Sequence, residues 1–296
     1  MNKIKPDIYQ DVTNKIIEAL EQGVSPWVCP WVRTGEDALP VNHTTGDHYR
    51  GINVVLLWLS QVIGNYRSAR WMTYRQAAAL GGQVKKGEKG TGLVFYKPIE
   101  KTTGEFDGDG NEVIERFPLI KSFTVFNLEQ IEGIEIGQVE TPAQFDPLES
   151  AEAVLQASGV TIHYGGDRAY YRLASDDITL PEPGRFSNPT DFYATAMHEL
   201  THASKHESRC GRMPFQTDIL RGAYAFEELV AEIGSSFCMA WLGLCGDVQD
   251  HASYIDGWLQ VLRQDKKAIF KASAEAQKAH QWIMAQAMGE GLRDIA

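Results

Sequence analysis

The feature that most constrains the fold is a pair of histidines four residues apart, in the stretch His198-Glu199-Leu200-Thr201-His202. Residues at this spacing lie on one face of an α-helix, so the imidazoles of His198 and His202 can hold one metal ion between them. Glu199 follows the first histidine and is placed to act as the general base for a water molecule in such a site. The stretch therefore predicts a helix that carries a metal centre. Apolar residues at helical spacing support this helix, namely Tyr193, Ala196, Met197, Leu200 and Ala203.

A second predicted helix, over residues 226–233, is apolar on one face and yet carries three carboxylates. A zinc hydrolase with two histidine ligands usually takes a carboxylate as its third ligand and leaves the fourth position open. We assign Glu228 as the third ligand, and Glu232, one turn further on, as the acceptor that orients the ring of His198. Glu227 remains an alternative ligand, because the sequence does not fix the rotation of the helix. The expected ion is Zn²⁺, with another divalent metal such as Mn²⁺ as the alternative. Without a metal, this helix would simply have a solvated acidic face.

These two helices together resemble the zincin-like metallopeptidases of the gluzincin type. In that group the glutamate after the first histidine is the base, and a downstream helix supplies the third ligand within E-x-x-x-D or E-x-x-x-E. The resemblance implies that residues 177–181 form the edge strand along the cleft. Just before the metal helix, Thr190 and Asp191 follow Pro189 and offer N-cap chemistry. Candidates to stabilise an oxyanion are Tyr224, His206 and Arg209.

Length and composition are those of an ordinary globular protein, and 296 residues suffice for two domains. No apolar run is long enough to span a membrane, and the start of the chain has no signal-peptide core. We therefore expect a cytoplasmic protein with no membrane partner. The four cysteines are widely scattered and form no Cys-x-x-Cys pair, so we interpret them as reduced thiols. They are Cys29, Cys210, Cys238 and Cys245.

The net charge of −11 argues against a uniformly basic nucleic-acid binder, but the charge is unevenly distributed. We use the term basic stripe for residues 50–97, which are rich in Lys and Arg and poor in acidic residues. Aromatic residues are interleaved with these charges, a combination that holds single-stranded DNA through phosphate contacts and base stacking. The alternative is a basic surface over an aromatic core. The predicted DNA contacts are Arg50, Asn53, Arg70, Trp71, Tyr74, Lys85, Lys86 and Lys89.

The hydrophobic pattern predicts an α+β chain of two domains, residues 1–135 and 148–296, with a linker at 136–147. The second domain is expected to be mostly helical, with a small sheet that contains the edge strand. Residues 25–31, with two prolines and two tryptophans, are interpreted as a loop packed over the core or as a stacking platform. In the first domain we predict helices at 7–22, 53–63 and 74–80, the last capped by Thr73, strands at 91–97 and 119–128, and a polar loop at 99–116.

The order of motifs along the whole chain resembles the ArdC-type antirestriction proteins. The N-terminal domain of that family is matched by Trp27-x-x-Pro30-Trp31, Tyr49-Arg50-Gly51-Ile52-Asn53, Trp71-Met72-Thr73-Tyr74, Lys86-Gly87-Glu88-Lys89-Gly90 and Phe123-Thr124-Val125-Phe126-Asn127. The resemblance implies an N-terminal module that binds single-stranded DNA, shared with some plasmid primases, and a C-terminal zincin-like metallopeptidase domain. It also implies a role in protecting incoming conjugative DNA from host restriction.

Three hypotheses follow. The leading one is a plasmid-type antirestriction protein that binds single-stranded DNA and carries a metal-dependent peptidase, which acts on a host protein substrate. The alternative is a DNA-shielding protein whose metal site is structural and not proteolytic. A mimic of DNA ranks last, because the acidic residues are dispersed and the basic stripe would have no role.

Overall fold

The computed structural model describes residues 7–28, 38–106, 108, 112–134, 147–244 and 252–288. The predicted linker lies outside these residues except for Pro147, which begins a helix. The first half contains α1 (Ile8–Glu21), β1 (Val41–Asn42), α2 (Ile52–Gly64), β2 (Arg70–Met72), α3 (Tyr74–Ala79), β3 (Gln83–Val84), β4 (Thr91–Phe106), β5 (Glu112–Asn127) and β6 (Ile131–Glu132). The second half contains α4 (Pro147–Ala157), β7 (Thr161–Tyr164), β8 (Tyr170–Arg172), β9 (Asp177–Leu180), α5 (Pro189–Ala203), α6 (Gly222–Trp241), α7 (Ala252–Gln264) and α8 (Ala268–Met288).

The larger sheet of the first half has the order β1-β2-β5-β4, and its largest part is the antiparallel pair of β4 and β5, whereas β3 and β6 form a separate antiparallel pair. The predicted polar loop at 99–116 is wrong over most of its length, because β4 continues to Phe106 and β5 begins at Glu112. The β-branched and aromatic residues of this segment favour strands, and that preference outweighs the polar residues between them. The predicted cap of α3 is confirmed: Thr73 and Gln76 form a capping box.

The sheet of the second half has the order β7-β9-β8, with β7 parallel and β8 antiparallel to β9. The prediction that residues 177–181 form the edge strand is therefore wrong. Ile178 and Leu180 lie on the same face of β9 and are completely buried in the hydrophobic core of the second half. The strand that lies along the cleft is β8 and not β9.

The larger hydrophobic core joins the two halves, and α6 contributes buried residues to it along most of its length. Phe237 of α6 packs edge-to-face against Trp58 of α2, with ring centroids 5.7 Å apart. Trp27 packs in the same manner against Trp258 of α7, at 5.1 Å. Because Trp27 is completely buried, this part of residues 25–31 is a loop packed on the core, whereas Trp31 lies outside the described residues.

No helix in the described parts of the chain combines the length and the apolar character that crossing a membrane requires. Two of the predicted thiols, Cys210 and Cys238, are free cysteines. The other two, Cys29 and Cys245, lie outside the described residues.

Candidate functional site

The helix that carries the two histidines, α5, begins with a strong local signal. Asn188 is the N-cap, and its side chain accepts a hydrogen bond of 2.9 Å from the backbone N–H of Asp191. Pro189 occupies the first helical position, where it loses no hydrogen bond. The predicted caps, Thr190 and Asp191, lie inside the first turn instead. Asp191 there carries a negative charge near the positive end of the helix dipole.

Three donor side chains converge between α5 and α6. The Nε2 atoms of His198 and His202 are 3.1 Å apart, and each lies 3.5 Å from a different carboxylate oxygen of Glu228. A tetrahedral ion with bonds of about 2.0–2.1 Å separates its ligands by about 3.3 Å, so the spacing suits one small divalent cation. Within the described residues, these three form the group of His, Cys, Asp and Glu that could hold a metal.

Each histidine has a carboxylate at its other ring nitrogen. Glu232 lies 3.5 Å from Nδ1 of His198, and Glu227 lies 3.0 Å from Nδ1 of His202. When Nδ1–H donates to a carboxylate, the lone pair of Nε2 is left for a cation. Two such lone pairs facing each other at 3.1 Å need a positive charge between them, so the donor set fits a metal ion.

The charges in the site shift the acid–base equilibria of its members. Burial lowers the pKa of His202, but hydrogen bonds to Glu227 and Glu228 outweigh it and raise the pKa to about 9. Burial raises the pKa of Glu227, but hydrogen bonds from Arg212 and His202 hold it at about 2. For Glu228, burial is likewise outweighed by the two imidazoles, which lower its pKa well below the usual range. The carboxylates around His202 therefore favour a positive charge at this position.

Glu199 lies beside this group on the same helix and is 6% exposed. Burial is the main cause of its raised pKa, and the two neighbouring histidines oppose the rise. The backbone N–H of Tyr171 in β8 also interacts with its carboxylate. A raised pKa suits a group that must accept and then release a proton near neutral pH.

The donor group opens into a cavity of about 530 Å³ between α5, α6 and the segment that contains β8. Tyr224 and Tyr254 line it, and Tyr224 is 54% exposed. Burial, Tyr254 and Glu228 raise the pKa of Tyr224, so its hydroxyl stays a donor at neutral pH. The other two candidates for an oxyanion contact are engaged elsewhere. Arg209 pairs with Asp176 at 2.7 and 2.9 Å, and His206 bonds to Ser208.

The predicted DNA contacts divide into exposed residues and residues of the interior. Arg50, Tyr74, Lys85, Lys86 and Lys89 are exposed. The hydroxyl of Tyr74 lies within 3.4 Å of Gln83 in β3, directly before the turn that carries the three lysines. Lys85 also donates to the carbonyl of Glu129 at 2.7 Å. The exposed lysines and Tyr74 therefore form one surface, which we call the lysine turn surface.

Two of the three remaining predicted contacts need correction. Trp71 is completely buried and packs edge-to-face on Tyr66, so it has no face open to a base. The amide of Asn53 donates to the carbonyl of Val94 at 2.8 Å and accepts from its N–H at 3.0 Å, so it fastens α2 to β4. Arg70 is only partly exposed. We therefore remove Trp71 and Asn53 from the predicted contacts.

Comparisons with known proteins address both halves. Residues 6–126 match the family model of the N-terminal domain of anti-restriction factor ArdC, and residues 149–275 match that of a zincin-like metallopeptidase. The crystal structure of the metal-free antirestriction ArdC protein from plasmid R388 superposes with a TM-score of 0.78 at 41% identity. The match covers 95% of this chain and 98% of that one. This chain belongs to the ArdC family of antirestriction proteins.

Other members of the comparison agree with this membership. The Mn(II)-bound structure of the R388 ArdC protein matches at 40% identity and a TM-score of 0.78, over 96% of this chain and 100% of that one. The uncharacterised protein y4eC of Sinorhizobium fredii (strain NBRC 101917 / NGR234) is 36% identical over 95% of this chain and 92% of its own length. A DNA primase TraC of Escherichia coli is 40% identical over 95% of this chain. The ArdC-like chain spans only 20% of that primase, and 28% of a second TraC primase.

Three features of this ArdC-family site are not evident from the sequence. Arg212 bonds to Glu227, but it lies in a segment without regular secondary structure and carries no motif. Tyr171 interacts with Glu199 through its backbone N–H, and because almost any residue has this group, the sequence does not reveal the contact. Tyr254 comes from α7, far along the chain. A contact between distant segments has no local pattern by which it can be found.

Proposed function

We propose that this ArdC-family protein is a metal-dependent peptidase, with His198, His202 and Glu228 as metal ligands and Glu232 orienting His198. The observation that carries the proposal is the convergence of three donor atoms beside a buried glutamate, at the edge of an open cavity. Structural zinc sites are usually closed by four protein ligands, whereas catalytic sites keep a position for water or substrate. Three donors that face a cavity favour catalysis.

In the proposed mechanism, each side chain of the cavity has a separate chemical role. A divalent metal, when bound, polarises the scissile carbonyl and lowers the pKa of a water molecule beside it. Glu199 accepts a proton from the attacking water and passes it to the nitrogen of the leaving amine. Tyr224 donates its O–H to the carbonyl oxygen as negative charge develops there. We propose Zn²⁺ as the ion, and the Mn(II)-bound structure of the R388 protein makes Mn²⁺ the alternative.

Metal removal tests the hydrolase directly. A chelator is expected to abolish cleavage of a mixed peptide library, and one equivalent of Zn²⁺ or Mn²⁺ is expected to restore it. The matched control is His198→Ala, which removes one ligand and whose activity neither ion should restore. The proposed metal centre would be ruled out if peptides are still cleaved in the presence of the chelator, or if His198→Ala still cleaves them.

We propose further that the first half binds single-stranded DNA through the lysine turn surface and Arg50. The support is the combination of exposed lysines with an exposed ring at Tyr74, because lysines bind phosphates and rings stack on bases of any sequence. Two of the relatives are DNA primases. The proposed setting is the cytoplasm of a cell that receives plasmid DNA by conjugation, with a host protein as the substrate of the peptidase.

Charge neutralisation tests the DNA interface. For a single strand, each lost phosphate contact lowers the slope of log affinity against log salt by about 0.7. The double variant Lys86→Gln, Lys89→Gln is therefore expected to bind more weakly and with a shallower salt dependence. Lys278→Gln, an exposed lysine of α8 whose side chain is 58% exposed, is the control. Equal losses for the control and the double variant would place the DNA elsewhere.

A structural role of the metal is the second candidate function, because the donor group lies between two helices that are central to the fold. An ion that joins α5 to α6 would stabilise the protein whether or not it catalyses a reaction. In that case the protein shields DNA, and protection depends on the lysine turn surface and not on Glu199. Glu199→Gln separates the two functions: protection should be lost if hydrolysis produces it and should persist if the ion is structural.

A further inference from the structure

The buried guanidinium of Arg212 is bonded on all sides, although this residue lies in the irregular segment between α5 and α6. Its side chain is 2% exposed. Nε donates to Oε2 of Glu227 at 2.9 Å, and Nη2 donates to Oε1 at 2.7 Å, so the pair is bidentate. The remaining donors reach the carbonyl of Thr201 and the hydroxyl of Ser204, both at 3.1 Å. Arg212 thus ties the C-terminal end of α5 to Glu227 on α6.

Glu227 in turn faces the metal donor group. Its Oε1 lies 3.0 Å from Nδ1 of His202, and Nε2 of the same ring is one of the three convergent donor atoms. Both oxygens of Glu227 are occupied by Arg212 and His202. A carboxylate held by these contacts is not free to turn towards the three donor atoms. It instead fixes the ring plane and the tautomer of His202. Glu227 therefore has a use in the site without being a ligand.

We propose that Arg212 is a positioning residue of the metal centre, which acts through Glu227 to hold His202 in the orientation that metal binding needs. The inference rests on the proposed metal site. His198 is oriented by Glu232, which lies on α6 one turn from Glu228. His202 has a different arrangement, because its carboxylate partner is itself held by a cation from outside both helices. Arg212 also compensates the charge of Glu227, in a site that already contains the carboxylates of Glu199, Glu228 and Glu232.

The test is the affinity of the purified full-length protein for Zn²⁺ and Mn²⁺, measured by chelator competition, with no substrate present. Loss of a group that orients a ligand typically weakens metal binding by about 10- to 100-fold, and we expect this for Arg212→Met and for Glu227→Gln. If Arg212 acts through Glu227, the double variant Arg212→Met, Glu227→Gln should bind the metal about as tightly as the single variant with the lower metal affinity. Losses that simply multiply would overturn the proposed route.

Arg209→Met provides a matched control. Arg209 is also largely buried, also donates to a carbonyl at the end of α5 (Ala203, 2.8 Å), and also pairs with a carboxylate, but that carboxylate is Asp176. Its loss should lower the thermal stability of the metal-free protein and leave metal affinity within about twofold. An equal loss of affinity in Arg209→Met and Arg212→Met would show a general loosening of α5 and would overturn the proposal.

Arg212→Lys covers the case in which Arg212→Met does not fold. Lysine keeps the charge but lacks the planar fork, so it cannot hold both oxygens of Glu227 in one geometry. We expect a folded protein that binds metal more weakly than the unmodified chain. Unchanged affinity in Arg212→Lys and in Glu227→Gln would overturn the inference and leave the metal site standing. An unmodified chain that binds neither ion would overturn the metal site itself.

Discussion

Replacing Glu199 with glutamine is expected to lower the rate of peptide hydrolysis by about 10²- to 10⁴-fold, the usual contribution of a general base. The two side chains have the same shape, and glutamine can still accept the backbone N–H of Tyr171. The change therefore removes the ability to take a proton and little else. The measurement is kcat/KM on a cleaved peptide, together with the metal content of the variant.

Metal binding should survive Glu199→Gln, because Glu199 is not among the three convergent donors. This separates a missing base from a missing ion. Glu149→Gln, an exposed glutamate of α4, is the control and should hydrolyse at the unmodified rate. Full activity in Glu199→Gln would show that another group acts as the base.

Truncating Phe237 to alanine is expected to cost about 3–5 kcal/mol of unfolding free energy. Phe237 is 1% exposed near the C-terminal end of α6, where it meets Trp58 of the first half and His280 of α8. Removal of the ring leaves a cavity in the core that joins the two halves. Chemical denaturation should show the loss in one cooperative transition, because neither half keeps its packing without the other.

The control for this substitution is Leu220→Ala, at a residue that is 91% exposed, which should change stability by less than about 0.5 kcal/mol. Two separate unfolding transitions, of which Phe237→Ala shifts only one, would contradict a shared core. A loss below about 1 kcal/mol would show that the surroundings of Phe237 collapse to fill the space.

The sequence could predict the elements whose information is local. Four-residue spacing places His198 and His202 on one helical face, and the capping chemistry of Thr73 lies within four residues of the chain. The two-domain α+β architecture followed from the same kind of pattern. The order of motifs identified the family, which the full-length comparison confirms.

Properties set by packing between distant segments could not be predicted in this way. The rotation of α6 decides which of two adjacent glutamates reaches the Nε2 atoms of both histidines, and that rotation is set by the packing of α6 in the core. The basic residues around Trp71 in the sequence favour a role in base stacking, but Trp71 lies on the buried face of the sheet. The central position of β9 depends on β7, which precedes it in the chain and pairs with it in parallel.

The measurement that tests the central claim most directly is protection of incoming DNA from restriction, with the unmodified protein and Glu199→Gln compared at equal abundance. If hydrolysis at this centre produces antirestriction, Glu199→Gln will lose protection while it still binds metal and single-stranded DNA. If Glu199→Gln protects DNA as well as the unmodified protein does, protection does not depend on the peptidase, and the central claim is wrong.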